Sequence, residues 1–424
     1  MTDGTCPHLM DLSGRDIHGE ADLLRKRGRA TQVELPDGIV VWVVTDYELV
    51  KQLLTDPRVS KDTYRHWPAW ENGEGELARS WPLAIWVQDQ SMITAYGAEH
   101  ARLRKMVAKA FTARRTAALR PRIEAVTADL LDALAARPAD EPVDLREEFA
   151  YPLPTQVISE LLGIPHEMRD RFLGLVHGIF DTQASAEEAR ANEEALYALL
   201  RELVDVKRRS PDDDLISSLI VVRDEDDGAG LTERELIDTI LLMFTAGHET
   251  TVNLLDHAVH ALLRNRAQLD SVRSGDAGAA AWADVIEETL RLEAPLANLP
   301  MRYAVEDIVL DDVTIPRGDA LIIGFGAAGR DPGHHGDTAD RFDISRPTRK
   351  DHLAFGHGVH HCLGAPLARL EAEIALSALF ARFPDLDLAD PARELPPLES
   401  FISNGHRELP VVLGTEEKPA PLPA

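Results

Sequence analysis

The 424-residue sequence predicts a mainly α-helical protein with small β-sheets. Three observations predict it. Apolar residues recur at helical spacing through most of residues 47–274. Runs rich in β-branched residues are short, and they lie before and after that stretch. Strand and helix patterns never alternate as a parallel βαβ sheet would require.

In chain order, Thr31–Glu34 and Ile39–Val44 flank Pro36-Asp37-Gly38, a turn sequence, and predict a β-hairpin. Apolar spacing then marks helices in Val126–Leu134, Val157–Leu162, Ala195–Val204 and Leu215–Val221. The segment Thr232–Leu263 is the longest. It opens with Thr232-Glu233-Arg234-Glu235, a capping box in which Thr and Glu each satisfy the other's free backbone N–H. A helix of about 30 residues runs roughly 45 Å, long enough to cross the middle of the molecule. A further helix follows in Ala283–Leu292, β-like sequence at Val305–Ile315 and Ala320–Gly324, and an amphipathic last helix at Ala365–Phe383. Residues 1–8 and 415–424 read as disordered ends, the latter including the Pro-rich Lys418–Ala424.

Composition excludes several classes. Lys and Arg number 45 against 72 Asp and Glu, a net charge of −27, which argues against nucleic acid or an anionic membrane surface as partner. Two cysteines, Cys6 and Cys362, exclude a disulfide scaffold and fit a reducing, cytoplasmic location. The polar start lacks the pattern of a signal peptide. Apolar runs such as Ile240–Phe244 fall far short of the ~18 residues that a membrane helix needs. A length prior of about 100–200 residues per domain would suggest two or three domains.

The densest chemistry lies in Phe355-Gly356-His357-Gly358-Val359-His360-His361-Cys362-Leu363-Gly364, just ahead of the last helix. Glycines 356, 358 and 364 permit positive φ and close backbone approach. A cysteine at a helix N-terminus has its thiolate stabilised by the dipole and by backbone N–H groups. Three readings are open on these residues: an inert buried cysteine, a zinc site drawing on His334, His335, His352, His357, His360 and His361, and haem iron held by one thiolate.

The pattern Phe355, Gly356, Gly358, His360, Cys362, Gly364 resembles the haem-binding loop of bacterial cytochromes P-450. Other segments agree in family order, over roughly Leu9 to Gly414. Ala246-Gly247-His248-Glu249-Thr250-Thr251 resembles the oxygen-activation segment, in which Ala246 and Gly247 leave room for a flat cofactor and Glu249 with Thr250 relays protons. Glu288-Thr289-Leu290-Arg291 resembles the family's Glu-x-x-Arg, joined by Arg346 as a buried structural group. His100 and Arg104, one helical turn apart, with Arg302 and His360, match residues that hold the haem propionates. Ala328-Gly329-Arg330-Asp331-Pro332 departs from the family by a Gly where Asn is usual, which reads as a preserved left-handed turn.

The resemblance therefore implies one large cytochrome P-450-type domain over residues 1–424, with a long central helix crossing over the haem. It implies Cys362 as the iron ligand of haem b, Phe355 and Gly364 as further cofactor contacts, and O2 as co-substrate. Electrons would come from NAD(P)H through a ferredoxin reductase and a ferredoxin, since no flavin or dinucleotide fingerprint appears. Eight Arg and Lys with no acid between His100 and Ile123, with Arg346, Arg349 and Lys350, suggest a basic docking face. The expected activity is monooxygenation of a bulky apolar substrate by a monomer: a steroid, a macrolide or polyketide, or another secondary metabolite, as in actinomycete members. Trp67, Trp81, Trp86, Phe244, Leu296, Phe401 and Ile402 are expected to shape its pocket and Asn298 to orient a polar group. Oxidative coupling and a non-enzymatic haem-thiolate sensor are the rival readings.

Overall fold

The computed structural model describes residues 6–417 apart from 112, 183, 227, 275–280 and 311–312. Its axis is the helix Glu233–Arg264, whose capping box forms as expected: Glu235 N donates to Thr232 Oγ1 at 3.2 Å and Thr232 N donates to Glu235 Oε2 at 2.7 Å. This central helix is buried on nearly all sides, because helices Pro152–Leu162, Ala186–Arg209, Trp282–Leu292 and Ala365–Arg382 pack around it. A helix apolar over so much of its circumference is stable only inside such a bundle.

The predicted hairpin is present as Ala30–Leu35 and Ile39–Val44, paired from Ala30↔Val44 to Leu35↔Ile39. Asp37 takes φ 64° in the turn. The hairpin belongs to a six-stranded sheet in which Ile39–Val44 runs parallel to Ala320–Gly324, followed by Asn298–Ala304 and Val59–Ser60. A strand near residue 40 is thus bonded to one near residue 320, and the helices between close over the sheet. One domain results, where length alone suggested two or three.

Three expectations need correction. Asn298–Ala304 is a strand that periodicity does not show, because Pro300 interrupts its pattern; the structure places Pro300 at a register shift between Leu299 and Arg302, where a missing N–H is tolerated. Residues 6–8 and 415–417 are not loose ends: His8 pairs with Val33, and Glu416 pairs with Arg382 at 2.8 Å. Met1–Thr5 and the Pro-rich Lys418–Ala424 lie outside the described residues. Gly329 is not in a left-handed turn. It ends a short helix, Phe325–Gly329, and a Cβ there would stand 1.9 Å from the Arg291 carbonyl oxygen, so close approach selects glycine.

Candidate functional site

Cys362 sits three residues before the first residue of the helix Ala365–Arg382. Gly356 and Gly358 hold positive φ, 71° and 72°, which turns the chain so that Cys362 N donates to the Phe355 carbonyl at 2.8 Å. A Cβ on Gly358 would stand 2.9 Å from Thr55 Cγ2, a second reason for glycine. Gly364 differs from the expectation: it has φ −79°, and its merit is proximity, since a Cβ there would lie 3.7 Å from the Cys362 sulfur. Burial pushes the Cys362 thiol upward, while backbone N–H groups of Gly364 and Ala365 and the charges of Arg104 and Arg369 favour the thiolate.

The zinc reading fails on geometry. His334 stacks on Tyr47 at 3.6 Å, His335 bonds Thr348 at 2.9 Å and His352 bonds Glu287 at 2.9 Å. Among the described residues, the one cluster with metal-ligand spacing is Asp256, His257 and His406, and it does not include Cys362. Arg146 at 3.4 Å and the His406 ring at 3.0 Å already serve the Asp256 carboxylate.

Cys362 opens on a large cavity, about 2020 Å³ including its mouth, that reaches the central helix. The helix lines it with Ala246, Gly247, Thr250, Thr251 and Leu254, one stripe at helical spacing. Ala246 faces the space as expected. Gly247 is there for an additional reason, since a Cβ would stand 2.9 Å from Ile158 Cδ1 on the neighbouring helix. The Thr250 hydroxyl donates a hydrogen bond to the Ala246 carbonyl at 2.7 Å, so its oxygen is left to accept a hydrogen bond from the cavity.

Glu249 is not part of that wall. One residue turns a helix by about 100°, and Glu249 points into the protein, 4% exposed and ion-paired with Arg146 at 3.1 Å. The expected acid–hydroxyl pair is therefore split. Phe244 is displaced for the same reason: it packs on Phe172 at 4.6 Å in the core.

The cofactor residues converge. His100, Arg302 and Arg346 are each at most 5% exposed, but only Arg346 is fully engaged with protein groups. His100 Nε2 and Arg302 Nε are buried with no partner. Arg104 lines the cavity and donates to the His361 carbonyl at 2.7 Å, and His360 lies 4.1 Å from His100 between ring centres. Burial lowers the Arg302 guanidinium to about 10. An orphaned Arg302 donor on the cavity wall, the orphaned His100 ring beside His360, a cysteine at a helix start and a glycine- and alanine-lined stretch of the central helix suit a flat group with two carboxylates and a thiolate-bound metal. Haem fits these residues.

The expected substrate wall is corrected more heavily. Trp86 and Leu296 line the cavity, with Leu299, Ile85, Met92, Ile179 and Phe180. Trp67 and Trp81 instead pack on each other at 5.5 Å in a separate core that also takes in Phe401 and Ile402. Asn298 Nδ2 donates to the Phe401 carbonyl at 2.8 Å and is occupied in fixing backbone. Tryptophan is usually largely buried for its area alone, and a cluster in sequence says little about which rings reach a cavity.

The Glu288, Arg291 and Arg346 group is formed. Glu288 and Arg291 are fully buried and meet through two bonds of 2.8 and 2.7 Å, and Arg346 reaches Glu288 at 3.2 Å. The basic docking stretch is largely neutralised. Arg102 pairs with Glu99 and Glu235, Lys105 and Lys109 with Glu225 at 2.8 Å, Arg115 with Asp213 at 3.2 Å and Arg122 with Glu160 at 2.5 Å. Arg349 pairs with Asp284 at 2.5 Å.

Motif reasoning missed Lys61, Asp89 and Glu371, which all line the cavity. Glu371 is 2% exposed, its Oε2 has no partner, and burial raises it from 4.5 to about 8. Between those values the unfolded chain ionises this group while the folded one keeps it protonated, so its contribution to stability falls as pH rises. Glu371→Gln is expected to flatten the pH dependence of unfolding between pH 5 and 8 by about 2–4 kcal/mol. Denaturant titrations at the two pH values check this; parallel profiles for variant and parent would refute it.

A cysteine-ligated haem oxidoreductase is the class that this fold and site define. The comparisons agree. The family model for cytochrome P450 matches residues 40–274 and 282–403. The chain is 47% identical over 408 residues to 2-hydroxy-5-methyl-1-naphthoate 7-hydroxylase of Streptomyces carzinostaticus, covering 96% of this chain and 98% of that one. It is 38% identical to 6-deoxyerythronolide B hydroxylase of Saccharopolyspora erythraea, covering 88% and 90%. The solved structure of CYP154A1 from Streptomyces coelicolor superposes with a TM-score of 0.90 at 52% identity, covering 96% of this chain and all of that one. The chain belongs to the cytochrome P450 family and is a monooxygenase that uses haem iron and O2. No helix of the described residues is long and apolar enough to cross a membrane.

Proposed function

We propose that the protein hydroxylates a bulky, largely apolar secondary metabolite, with aromatic polyketide acids and macrolides as the leading classes and steroids next. The observation that carries this reading is the cavity wall of Ile85, Trp86, Met92, Ile179, Phe180, Leu296 and Leu299 facing Ala246 and Thr250 across the space above Cys362. The names of the two hydroxylase relatives supply the classes. Electrons are supplied from NAD(P)H through a ferredoxin reductase and a ferredoxin that docks a monomer on the cysteine side. Because Glu99, Glu235, Glu225, Asp213, Glu160 and Glu124 pair with six of the eight basic residues there, contact shape carries docking more than long-range steering does.

Bound haem supplies dioxygen activation and transfer of one oxygen atom. His100, Arg104, Arg302 and His360 hold its carboxylates, and Cys362 holds its iron. Ala246 keeps the central helix clear of the reacting space, and the apolar wall excludes water from it. Thr250 orients water at the reacting space: its hydroxyl donates to the Ala246 carbonyl, and its oxygen lone pairs accept a hydrogen bond from a water in the cavity that can carry the proton. Glu249 keeps the Arg146 ion pair that anchors this turn of the helix.

Turnover of 2-hydroxy-5-methyl-1-naphthoate and of 6-deoxyerythronolide B with a surrogate ferredoxin system under 18O2 tests the reading. One 18O atom in the product of either is expected. Coupled, unlabelled products would move the assignment to oxidative coupling, whose support is the same haem site. Thr250→Ala is expected to lower product per NAD(P)H by about tenfold, the reductant appearing as hydrogen peroxide. Unchanged coupling would remove Thr250 from the proton path.

A further inference from the structure

We propose that Lys61 is a carboxylate-binding residue of the cavity, acting beside Arg302 on an acid carried either by the cofactor or by the substrate. The inference rests on the haem monooxygenase reading of the same cavity. Backbone pairing places the two cations together. Lys61 follows the strand Val59–Ser60, and Ser60 pairs with Tyr303, the neighbour of Arg302.

Both side chains are 4% exposed and both line the cavity. Buried lysines are rare unless paired, because an ammonium without water or a counter-ion loses several kcal/mol of solvation. Among the described residues, no carboxylate bonds to Lys61. Asp89 is the acid whose field it feels, and the Asp89 carboxylate is engaged with the Ser91 hydroxyl at 2.7 Å. Arg302 repels Lys61, and its own Nε is buried without a partner. Burial and that repulsion hold the Lys61 ammonium down to about 7. Two adjacent buried cations with spare donors form a site that a bound anion completes.

The rest of the lining decides what kind of anion. Ile85, Trp86, Ile93 and Phe180 make the space apolar, so the occupant has an apolar body with a carboxylate at one end. The haem propionates and an acid group on an aromatic substrate share that chemistry. Lys61 would then either help to hold the cofactor or select acidic substrates over neutral ones.

Lys61→Met and Lys61→Arg separate these sources in the haem-loaded protein. Haem transfer to excess apomyoglobin and equilibrium dialysis of 1-naphthoic acid and its methyl ester are the readouts. Haem loss about tenfold faster in Lys61→Met, restored by Lys61→Arg, identifies the cofactor carboxylate. Unchanged haem loss with about tenfold weaker binding of the acid, and none for the ester, identifies the substrate carboxylate. No change in either readout overturns the proposal. Circular dichroism confirms that Lys61→Met folds, and Lys61→Arg carries the comparison if it does not. A parent protein without the thiolate-type carbon-monoxide spectrum would sink the monooxygenase reading by itself, while the dialysis arm would still decide whether Lys61 binds an acid.

Discussion

Cys362→Ser is expected to abolish the thiolate-type spectrum of the reduced, carbon-monoxide-treated protein and to reduce oxygen insertion to background. The exchange barely alters size, and Cys362 is held by its backbone bond to the Phe355 carbonyl, so the fold is expected to persist. What changes is the donor atom. Burial raises the Cys362 thiol, and the N–H groups of Gly364 and Ala365 with the charges of Arg104 and Arg369 work against that rise and favour an anion on sulfur, which a bound metal ion completes. A serine hydroxyl ionises far too weakly for the same help to produce an alkoxide, and a hard oxygen donor is a poor match for the electron-rich ligation that favours O–O cleavage. The other cysteine, Cys6, is exposed at the opposite end of the chain. A retained thiolate spectrum in Cys362→Ser would therefore move the metal ligand to a residue that no feature of the cavity supports. Circular dichroism and haem content, measured beside the spectrum, separate loss of the ligand from loss of the fold.

What was legible in the sequence was mostly local. The cysteine loop, the Ala246–Thr251 segment and the Glu288–Arg291 pair each act within one turn or loop, so their spacing carries their geometry. The capping box at Thr232 and the hairpin about Asp37 are legible for the same reason. Features that depend on partners remote in the chain were not. The acids that neutralise Lys105 and Arg122 stand at Glu225 and Glu160, beyond any sequence window. Glu249 and Thr250 adjoin in sequence but look in different directions, because what counts is the helix face and which neighbour occupies it. Lys61 and Glu371 belong to no recognised motif; burial on the cavity wall reveals them, in Glu371 with an unpartnered Oε2, and burial is a tertiary property. The tryptophans show the converse error. Their clustering suggested a pocket, yet Trp67 stacks on Tyr303 at 5.5 Å inside the core, and only the register of the sheet could have disclosed that.

Arg291→Leu is expected to cost about 3–5 kcal/mol of stability. Arg291 is fully buried and donates to Glu288 twice, to the Gly329 carbonyl at 2.6 Å, to the Ala339 carbonyl at 2.7 Å and to the Arg341 carbonyl at 3.0 Å. Leucine fills much of the volume but takes the planar fork from the buried Glu288 carboxylate and leaves the Gly329 and Ala339 carbonyls without this donor, while the Arg341 carbonyl keeps Arg346. Part of the loss is shared, because Arg346 still reaches Glu288. The double variant with Glu288→Leu removes the stranded carboxylate and is expected to lose less than the sum of the two single variants. The exposed pair Arg120–Glu124 is the contrast: Arg120→Ala is expected to change stability by less than about 0.5 kcal/mol. Urea midpoints and haem content for the parent and these four variants test the set. Arg291→Lys sharpens it, because an ammonium keeps the charge but lacks the planar fork that reaches Glu288 and the carbonyls of Gly329, Ala339 and Arg341 together. If Arg291→Lys were as stable as the parent, charge alone would hold this corner of the fold; a loss close to that of Arg291→Leu shows that the fork ties the helix Trp282–Leu292 to the segment leading into the cysteine loop.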